Sequence, residues 1–239
     1  MKDQNSKIVW ITGTTAGIGR ALAVEFAKAG HTVICSARRK GKLIQEVKAI
    51  EKTGGKAIAM HCDVSKEADV KRTVKNILKK YGRIDALINN AGVTEFKLFT
   101  ESTVKDFDNI IGVNLRGAFL CMKAVLPGMI KKKDGQIINI LSVAAITTFE
   151  YSSLYAASKA GLKAMSEGIR KEIRKYNIKV TNIMPGATIS PMWDKDFAER
   201  NEKRMMKAED IARLTLDAFN QPKSLVTEDI VVRPIKGDV

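Results

Sequence analysis

Histidine, cysteine and aromatic side chains are scarce in this 239-residue chain, and each shortage removes a class of function. Only His31 and His61 are present, both at the edges of strand-like runs and apart from other metal-ligand types, so no metal site is expected. The three cysteines, Cys35, Cys62 and Cys121, are odd in number and dispersed through apolar stretches. That excludes a disulfide framework and suits reduced, buried thiols in a cytoplasmic protein. Aromatics make up 6% of the chain, too few for a base-stacking platform, so the net charge of +15 is not read as a nucleic-acid footprint. The cations are spread along helical stretches, as in Lys163, Arg170, Lys171, Arg174 and Lys175. The longest run, Lys131-Lys132-Lys133, closes one such stretch, where it complements the helix dipole. No uninterrupted apolar run reaches the ~20 residues that a membrane-spanning helix needs. The segment Met1–Ser6 is polar and leads straight into strand pattern, unlike a signal peptide.

Flexible linkers and internal repeats are also missing. The chain is therefore expected to form one domain over residues 1–239, and a hydrophobic share of 45% is enough for one full core. Strands are predicted at Ile8–Thr12, Thr32–Ser36, Ala57–His61, Ala86–Asn89, Gln136–Leu141, Lys179–Met184 and Ile230–Val232. Helical patterns run at about 17–29, 41–53, 66–80, 103–132, 153–176 and 208–220. Ser65 is the expected N-cap of the third, with Glu67 in its first turn. Strands alternating with helices imply a mostly parallel sheet of about seven strands covered on both faces, a doubly wound α/β fold.

Two local patterns carry chemistry. The first predicted strand runs directly into Gly13-Thr14-Thr15-Ala16-Gly17-Ile18-Gly19, and a helix follows with Leu22, Phe26 and Ala29 on one face. Strand, glycine-rich turn and helix N-terminus together make an anion site, because glycines let the backbone approach a pyrophosphate that the first helical N–H groups face. The spacing is Gly-x-x-x-Gly-x-Gly rather than Gly-x-Gly-x-x-Gly. A plain tight turn would need only one glycine. The second pattern is Tyr155 and Lys159, four residues apart and hence on one helix face, with Ser142 upstream. A phenol titrates near pH ~10, and an adjacent ammonium stabilises its anion. Bringing that value near neutrality takes about 4 kcal/mol. Ser142 could hold a substrate oxygen beside the phenol. Taken alone, a Tyr–Lys pair is common on solvated helices.

The combination is more specific than its parts. Thr12–Gly19, Asn89-Asn90-Ala91-Gly92, Asn114, Ser142, Tyr155, Lys159 and Pro185-Gly186 stand in an order and spacing that resembles the short-chain dehydrogenases/reductases, including the interval between Ser142 and Tyr155. The resemblance runs from Lys7 to about Ser190 and is looser beyond. It implies a single-domain Rossmann fold and an oxidoreductase that interconverts a carbonyl and a secondary alcohol. By resemblance, Tyr155 is the acid/base, Ser142 holds the reacting oxygen, Lys159 serves both the phenol and the nicotinamide ribose, and Asn114 positions a water. Asn114 read alone is an asparagine bonding its own helix backbone. For the cofactor, the resemblance implies Gly13, Thr15, Gly17, Ile18 and Gly19 at the pyrophosphate. It places Asp63 and Val64 at the adenine, and Asn90, Ala91 and Gly92 at the ribose with Tyr155 and Lys159. Pro185 and Gly186 would lie beneath the nicotinamide, with Thr188 and Ser190 near its carboxamide. An aliphatic residue is commoner in the family at position 188 and a threonine at 190.

The choice between the two nicotinamide cofactors rests on charge. NAD-binding versions of this fold place a carboxylate after the second strand to accept from the ribose 2′-hydroxyl. Here Ala37 stands at that point, followed by Arg38 and Arg39, whose planar forks can grip a 2′-phosphate. NADP(H) is therefore expected; the alternative is that both arginines only solvate a loop.

The substrate is less defined. Met192, Trp193, Phe197, Met205 and Met206 could line a lid over residues 187–207, and Ala144, Ala145, Ile146, Thr147, Thr148 and Phe149 follow Ser142; both sets could equally be core. The resemblance leaves a 3-oxoacyl thioester, with an acyl carrier protein as partner, beside a small 3-hydroxy acid. The Glu228–Pro234 segment lacks the glycine-rich ending of many 3-oxoacyl reductases. A non-catalytic NADP-binding scaffold is the alternative of another class, opposed by the intact Asn114, Ser142, Tyr155 and Lys159. Apolar positions on several faces of the long helices (Phe119, Leu120 and Val125; Leu162, Met165 and Ile169) point to a homodimer or homotetramer.

Overall fold

In the first strand, β1 (Ile8–Thr12), Ile8 and Trp10 pack into one hydrophobic cluster while Val9 and Ile11 pack into another, and all four are buried. A strand covered on both sides reads as a continuous apolar run rather than an alternation. Trp10 meets its one polar obligation by donating from Nε1 to Ser36 Oγ at 2.8 Å. The protein, represented here by a computed structural model, is described over residues 6–238; the polar reading of residues 1–5 lies outside them.

The elements that follow are α1 (Gly17–Lys28), β2 (Thr32–Ala37), α2 (Lys40–Lys52), β3 (Lys56–His61), α3 (Glu67–Tyr81) and β4 (Ala86–Asn89). After them come α4 (Val104–Ile111), α5 (Gly117–Lys132), β5 (Gly135–Ile140), α6 (Ser153–Ile173), β6 (Ile178–Pro185), α7 (Lys195–Asn201), α8 (Ala208–Phe219) and β7 (Asp229–Val232). Among the described residues one parallel sheet forms in the order β3-β2-β1-β4-β5-β6-β7. Helices α1, α2 and α8 cover one face and α3, α5 and α6 the other. The winding direction changes between β1 and β4, which opens a crevice at the carboxyl ends of the strands.

Below that crevice lies a polar ladder whose three asparagines are buried and whose outer end, Asp229, reaches the surface. Asn89, Asn139, Asn182 and Asp229 stand in register on β4 to β7. Asn89 donates to Asn139 at 2.8 Å, Asn139 to Asn182 at 3.4 Å, and Asn182 to Asp229 at 2.9 Å, while Arg170 also donates to Asp229 at 3.0 Å. A one-residue slip would break every rung, so the ladder pins the register just beneath the loops of the site.

Several expectations are corrected. The predicted helix over 103–132 is α4 and α5 joined by a wider π turn, Gly112–Arg116, which carries Asn114 inward. Ser65 does not cap α3; the helix begins at Glu67, and the Ser65 hydroxyl donates instead to Asp63 Oδ1 at 2.7 Å. The stretch Val104–Lys132 contains a window with mean hydropathy 1.4, but half of that window is buried in the fold, as befits a core helix. Leu120, Val125 and Leu162 are core residues and Met165 and Ile169 pack against them, so of the six positions proposed for helix pairing only Phe119 is exposed. The three cysteines are buried and unpaired, and burial pushes their thiols up, Cys35 to about 12.

Candidate active site

The glycine turn is pressed against the end of β4. A Cβ on Gly13, whose φ is +74°, would stand 2.8 Å from Ala91 Cα. One on Gly19 would stand 2.2 Å from the Gly13 carbonyl oxygen. Neither position admits a side chain. Thr12 and Asn90 fasten the contact: Thr12 Oγ1 accepts from the backbone N–H of Asn90 and of Ala91, both at 3.0 Å, and Asn90 Nδ2 donates to the Thr12 carbonyl at 2.9 Å. No side chain caps the start of α1. Its first N–H groups stand at the cavity that Gly13, Thr15, Gly17, Ile18 and Gly19 line, a cradle that suits a diphosphate.

Loops from the ends of β1 to β6, with Asp238 beyond β7, enclose this cavity of about 1310 Å³. Every predicted site residue lines it except Asn114. Arg38 and Arg39 are exposed at its rim, and Arg39 donates to Thr15 Oγ1 at 3.1 Å, tying the loop after β2 to the glycine turn. Asp63 and Val64 follow β3; the Asp63 carboxylate already accepts from Ser65. Thr188 turns its hydroxyl back to the Gly186 carbonyl at 3.0 Å, and Ser190 Oγ accepts from Met192 N at 3.3 Å. Met205 and Met206, expected in the lid, do not line the cavity; Met205 is buried and Met206 packs on the sheet core beneath. Of the residues after Ser142, Ala144 and Phe149 line it and the exposed Ile146 does not.

Tyr155 and Lys159 rise from α6 beneath Ser142, which follows β5. The Lys159 ammonium sits 5.6 Å from the centre of the Tyr155 ring and donates to the Ile140 carbonyl at 2.9 Å. Burial dominates both groups. It pushes the phenol up to about 12, with neighbouring Ser142 working the other way, and it brings Lys159 down to about 8. Burial thus opposes the lowered phenol expected from the Tyr–Lys pair, and the ammonium is turned to the Ile140 carbonyl. Asn114 lies behind the cavity and bonds none of its own helix backbone. Its Oδ1 accepts from Val93 N at 2.8 Å, and its Nδ2 donates to the Val93 carbonyl at 2.9 Å and to Ser158 Oγ at 3.0 Å.

Thr12, first residue of the Thr12–Gly19 motif, acts as a clasp, and two contributors carried no sequence signal of their own: Phe96 after β4 and Asp238 beyond β7. Phe96 stacks on Trp193 with centroids 5.2 Å apart and planes within 6°, and Trp193 on Phe197 at 4.9 Å.

Known proteins share this plan. Residues 7–201 match the short chain dehydrogenase family model. A sepiapterin reductase of Chlorobaculum tepidum is 37% identical, with 97% of this chain and 98% of that one covered. A 3-oxoacyl-[acyl-carrier-protein] reductase of Thermotoga maritima is 36% identical over 94% of this chain and 95% of its own. A metagenomic short-chain oxidoreductase solved in complex with NADP superposes with a TM-score of 0.84 at 29% identity, covering 95% of this chain and 96% of that one. With its glycine turn, its Tyr155–Lys159 helix and its seven-stranded sheet in their places, the chain belongs to the short-chain dehydrogenase family.

Proposed function

We propose that this protein interconverts a carbonyl and a secondary alcohol with NADP(H). The observation that carries the reading is one continuous cavity from Arg38 and the glycine turn to Ser142 and Tyr155. The loops after β2 and β5 are three strand spacings apart, roughly 14 Å, which leaves room for a dinucleotide across the sheet edge. Charge supports the phosphorylated form: Ala37 offers no carboxylate to repel a 2′-phosphate, and Arg38 and Arg39 can both meet it. The relative solved with NADP agrees.

When bound, the nicotinamide supplies or accepts the hydride. Tyr155 donates its proton to the carbonyl oxygen in reduction, and Ser142 hydrogen-bonds the same oxygen. Burial holds the Tyr155 phenol in its protonated form, so the proton is present to be donated. Lys159, at about 8, keeps most of its charge at pH 7 and is the cation available to the phenolate and to a ribose. Asn114 is a positioning residue that locks Val93 to α6 through Ser158.

Relatives named for sepiapterin and for 3-oxoacyl chains match this sequence almost equally, at 37% and 36% identity, so the substrate has to be read from the walls of the pocket. A 3-oxoacyl thioester on a carrier protein and a small 3-hydroxy acid both fit the reaction class. A homo-oligomer is also inferred, because Phe99, Val104, Phe107 and Phe119 are exposed near one another in sequence along and before α4 and α5. Sedimentation as a monomer at micromolar concentration would remove that inference. The reaction itself is tested by following oxidation of NADPH and of NADH across a panel of carbonyl compounds. Turnover preferring NADPH is expected; tight NADPH binding with no turnover on any carbonyl would make the protein a cofactor-binding scaffold instead.

A further inference from the structure

The two ends of the cavity differ in charge. Among the described residues, the cations that line it are Arg38 and Arg39 at the nucleotide rim and Lys159, which is buried and turned to the Ile140 carbonyl. At the substrate end the lining charges are acidic. Asp238 is neutralised by its ion pair with Arg233. Glu150, in the turn before α6, and Asp194, which caps α7, are both exposed and line the cavity with no ion pair to any described residue. In a chain of net charge +15 this is a local reversal of sign.

The nearby cations are already taken. Lys97, in the loop after β4, holds Glu95 at 2.7 Å and Asp106 at 2.8 Å. Lys195, next to Asp194, pairs with Glu199 at 3.7 Å. Neither lysine lines the cavity. The turn that carries Glu150 is also fixed in shape. Tyr151 has a φ of +62°, a left-handed conformation that few side chains adopt. Its carbonyl accepts from Lys97 N at 3.1 Å, and the Phe149 carbonyl accepts from Ser152 Oγ at 2.7 Å. Phe149 and Tyr151, the neighbours of Glu150 in the chain, line the cavity too. A carboxylate with aromatic neighbours attracts an ammonium group through its charge and the ring quadrupoles together, and it repels a second carboxylate.

We propose that the substrate carries an ammonium group: Glu150, with Asp194 adding to the same field, receives the cation while the carbonyl reacts at Tyr155. The proposal rests on the carbonyl-reductase reading above and names its substrate class. A small 3-hydroxy acid is set aside, because its carboxylate would meet like charge and no free cation. A neutral acyl chain gains nothing from either carboxylate.

The test uses three methyl ketones that share a propyl arm and differ only at its tip: a trimethylammonium group, its uncharged tert-butyl isostere, or a carboxylate. At low salt, kcat/KM should fall in that order by about five- to fiftyfold at each step, and the steps should shrink at high salt because both protein carboxylates are exposed. Glu150→Gln should cut reduction of the ammonium ketone about fivefold or more beyond its effect on the tert-butyl ketone. Asp194→Asn, which keeps a capping side chain on α7, should do the same to a smaller degree. Equal kcat/KM for the ammonium and tert-butyl ketones in the parent, or best turnover of the carboxylate ketone, overturns the proposal and leaves the carbonyl-reductase reading standing. A loss in Glu150→Gln that is equal on all three would mean that Glu150 only holds its turn, which overturns it as well. If the parent reduces none of the three, calorimetric titration of the NADPH-loaded protein with the ammonium and tert-butyl ketones decides. Tighter ammonium binding that is lost in Glu150→Gln supports the proposal, and equal binding or none overturns it. The reductase reading then stands or falls separately, on its broad carbonyl panel.

Discussion

The nucleotide half of the cavity and its substrate half are held together by different forces. At Gly13–Gly19 and Asn90–Gly92 the contacts are backbone to backbone or are made by short polar side chains: Thr12 Oγ1 serves two N–H groups, and Asn90 returns a bond to the Thr12 carbonyl. At Phe96 and Trp193–Phe197 they are stacked side-chain faces. A substitution in the first half leaves buried polar groups without partners, which costs about 1–3 kcal/mol for each group. In the second half another apolar side chain can take over much of the contact, usually at less than about 1.5 kcal/mol when volume is conserved. A fold built this way can keep one chemistry and change its substrate.

The contrast is broken most sharply at the reacting atoms. Tyr155→Phe removes one oxygen from a buried ring and leaves the packing of α6 as it was, so cofactor binding should survive. Carbonyl reduction should fall by about 10²–10⁴-fold, the usual worth of general acid catalysis. Turnover followed by NADPH absorbance, with binding followed separately by cofactor fluorescence, measures both. A variant that reduces the best substrate at the parent rate would remove Tyr155 from the mechanism.

Lys159 shows the cost of function in the polar half. Its fall from the ordinary 10.5 to about 8 corresponds to about 3 kcal/mol of disfavoured charge. Lys159→Met should therefore abolish most turnover and yet raise the melting temperature by a few degrees, after about 1 kcal/mol is lost with the bond to the Ile140 carbonyl. The pH dependence has a definite sign. Below about 8 the lysine is protonated in both folded and unfolded chains, and the penalty is constant. Between about 8 and 10.5 the unfolded chain holds a proton on this lysine that the folded one has released, so the Lys159 contribution to stability rises with pH, against the opposite contribution of the buried thiols above about 9. The stability gap between the methionine variant and the parent should therefore narrow as the pH of the thermal melts is raised from about 8 to about 10.

At the rim the two halves can be separated by charge. Arg38→Asp removes one guanidinium from the proposed 2′-phosphate site and adds a repelling carboxylate. Loss of a charged hydrogen bond is worth about 1.5–3 kcal/mol, so the preference for NADPH over NADH should narrow by ten- to a hundredfold. Fluorescence titration with both cofactors reads it directly, and equal affinities in the parent would show that Arg38 and Arg39 only solvate the loop.

What was legible in the amino-acid sequence follows the same division. β1 and β4 occur where their apolar runs predict, because strands buried on both faces leave an unbroken signal. Gly13 and Gly19 were legible because backbone contacts at 2.8 and 2.2 Å to a would-be Cβ forbid any other residue. Phe96 and Asp238 were not: Phe96 stands four residues past the Asn89–Gly92 motif and Asp238 far from any, and nothing local marks either as part of the cavity. Ser65 misled because its hydroxyl had two possible local partners, the helix amides and Asp63, and the nearer carboxylate won. The Tyr155–Lys159 pairing was read correctly as shared placement on α6. Its electrostatics were not, because burial cannot be seen in a four-residue spacing.

The smallest expected effect lies in the aromatic wall. Phe96→Ala removes one face of the stack on Trp193, and such a pair is worth about 0.5–1.5 kcal/mol beyond the area it buries. Phe96 is 43% exposed, so its loss opens no cavity in the core, and the melting temperature should move little. Trp193 keeps its bond to the Thr188 carbonyl and its contact with Phe197, so the lid should remain in place but looser. KM for a planar carbonyl substrate should rise a few-fold, while NADPH affinity, set by hydrogen bonds at the other half, stays where it was. Phe96→Leu should restore part of the loss by refilling the space without the flat face. A change in NADPH affinity as large as the change in KM would show that the two halves are one cooperative unit rather than two independently built ones.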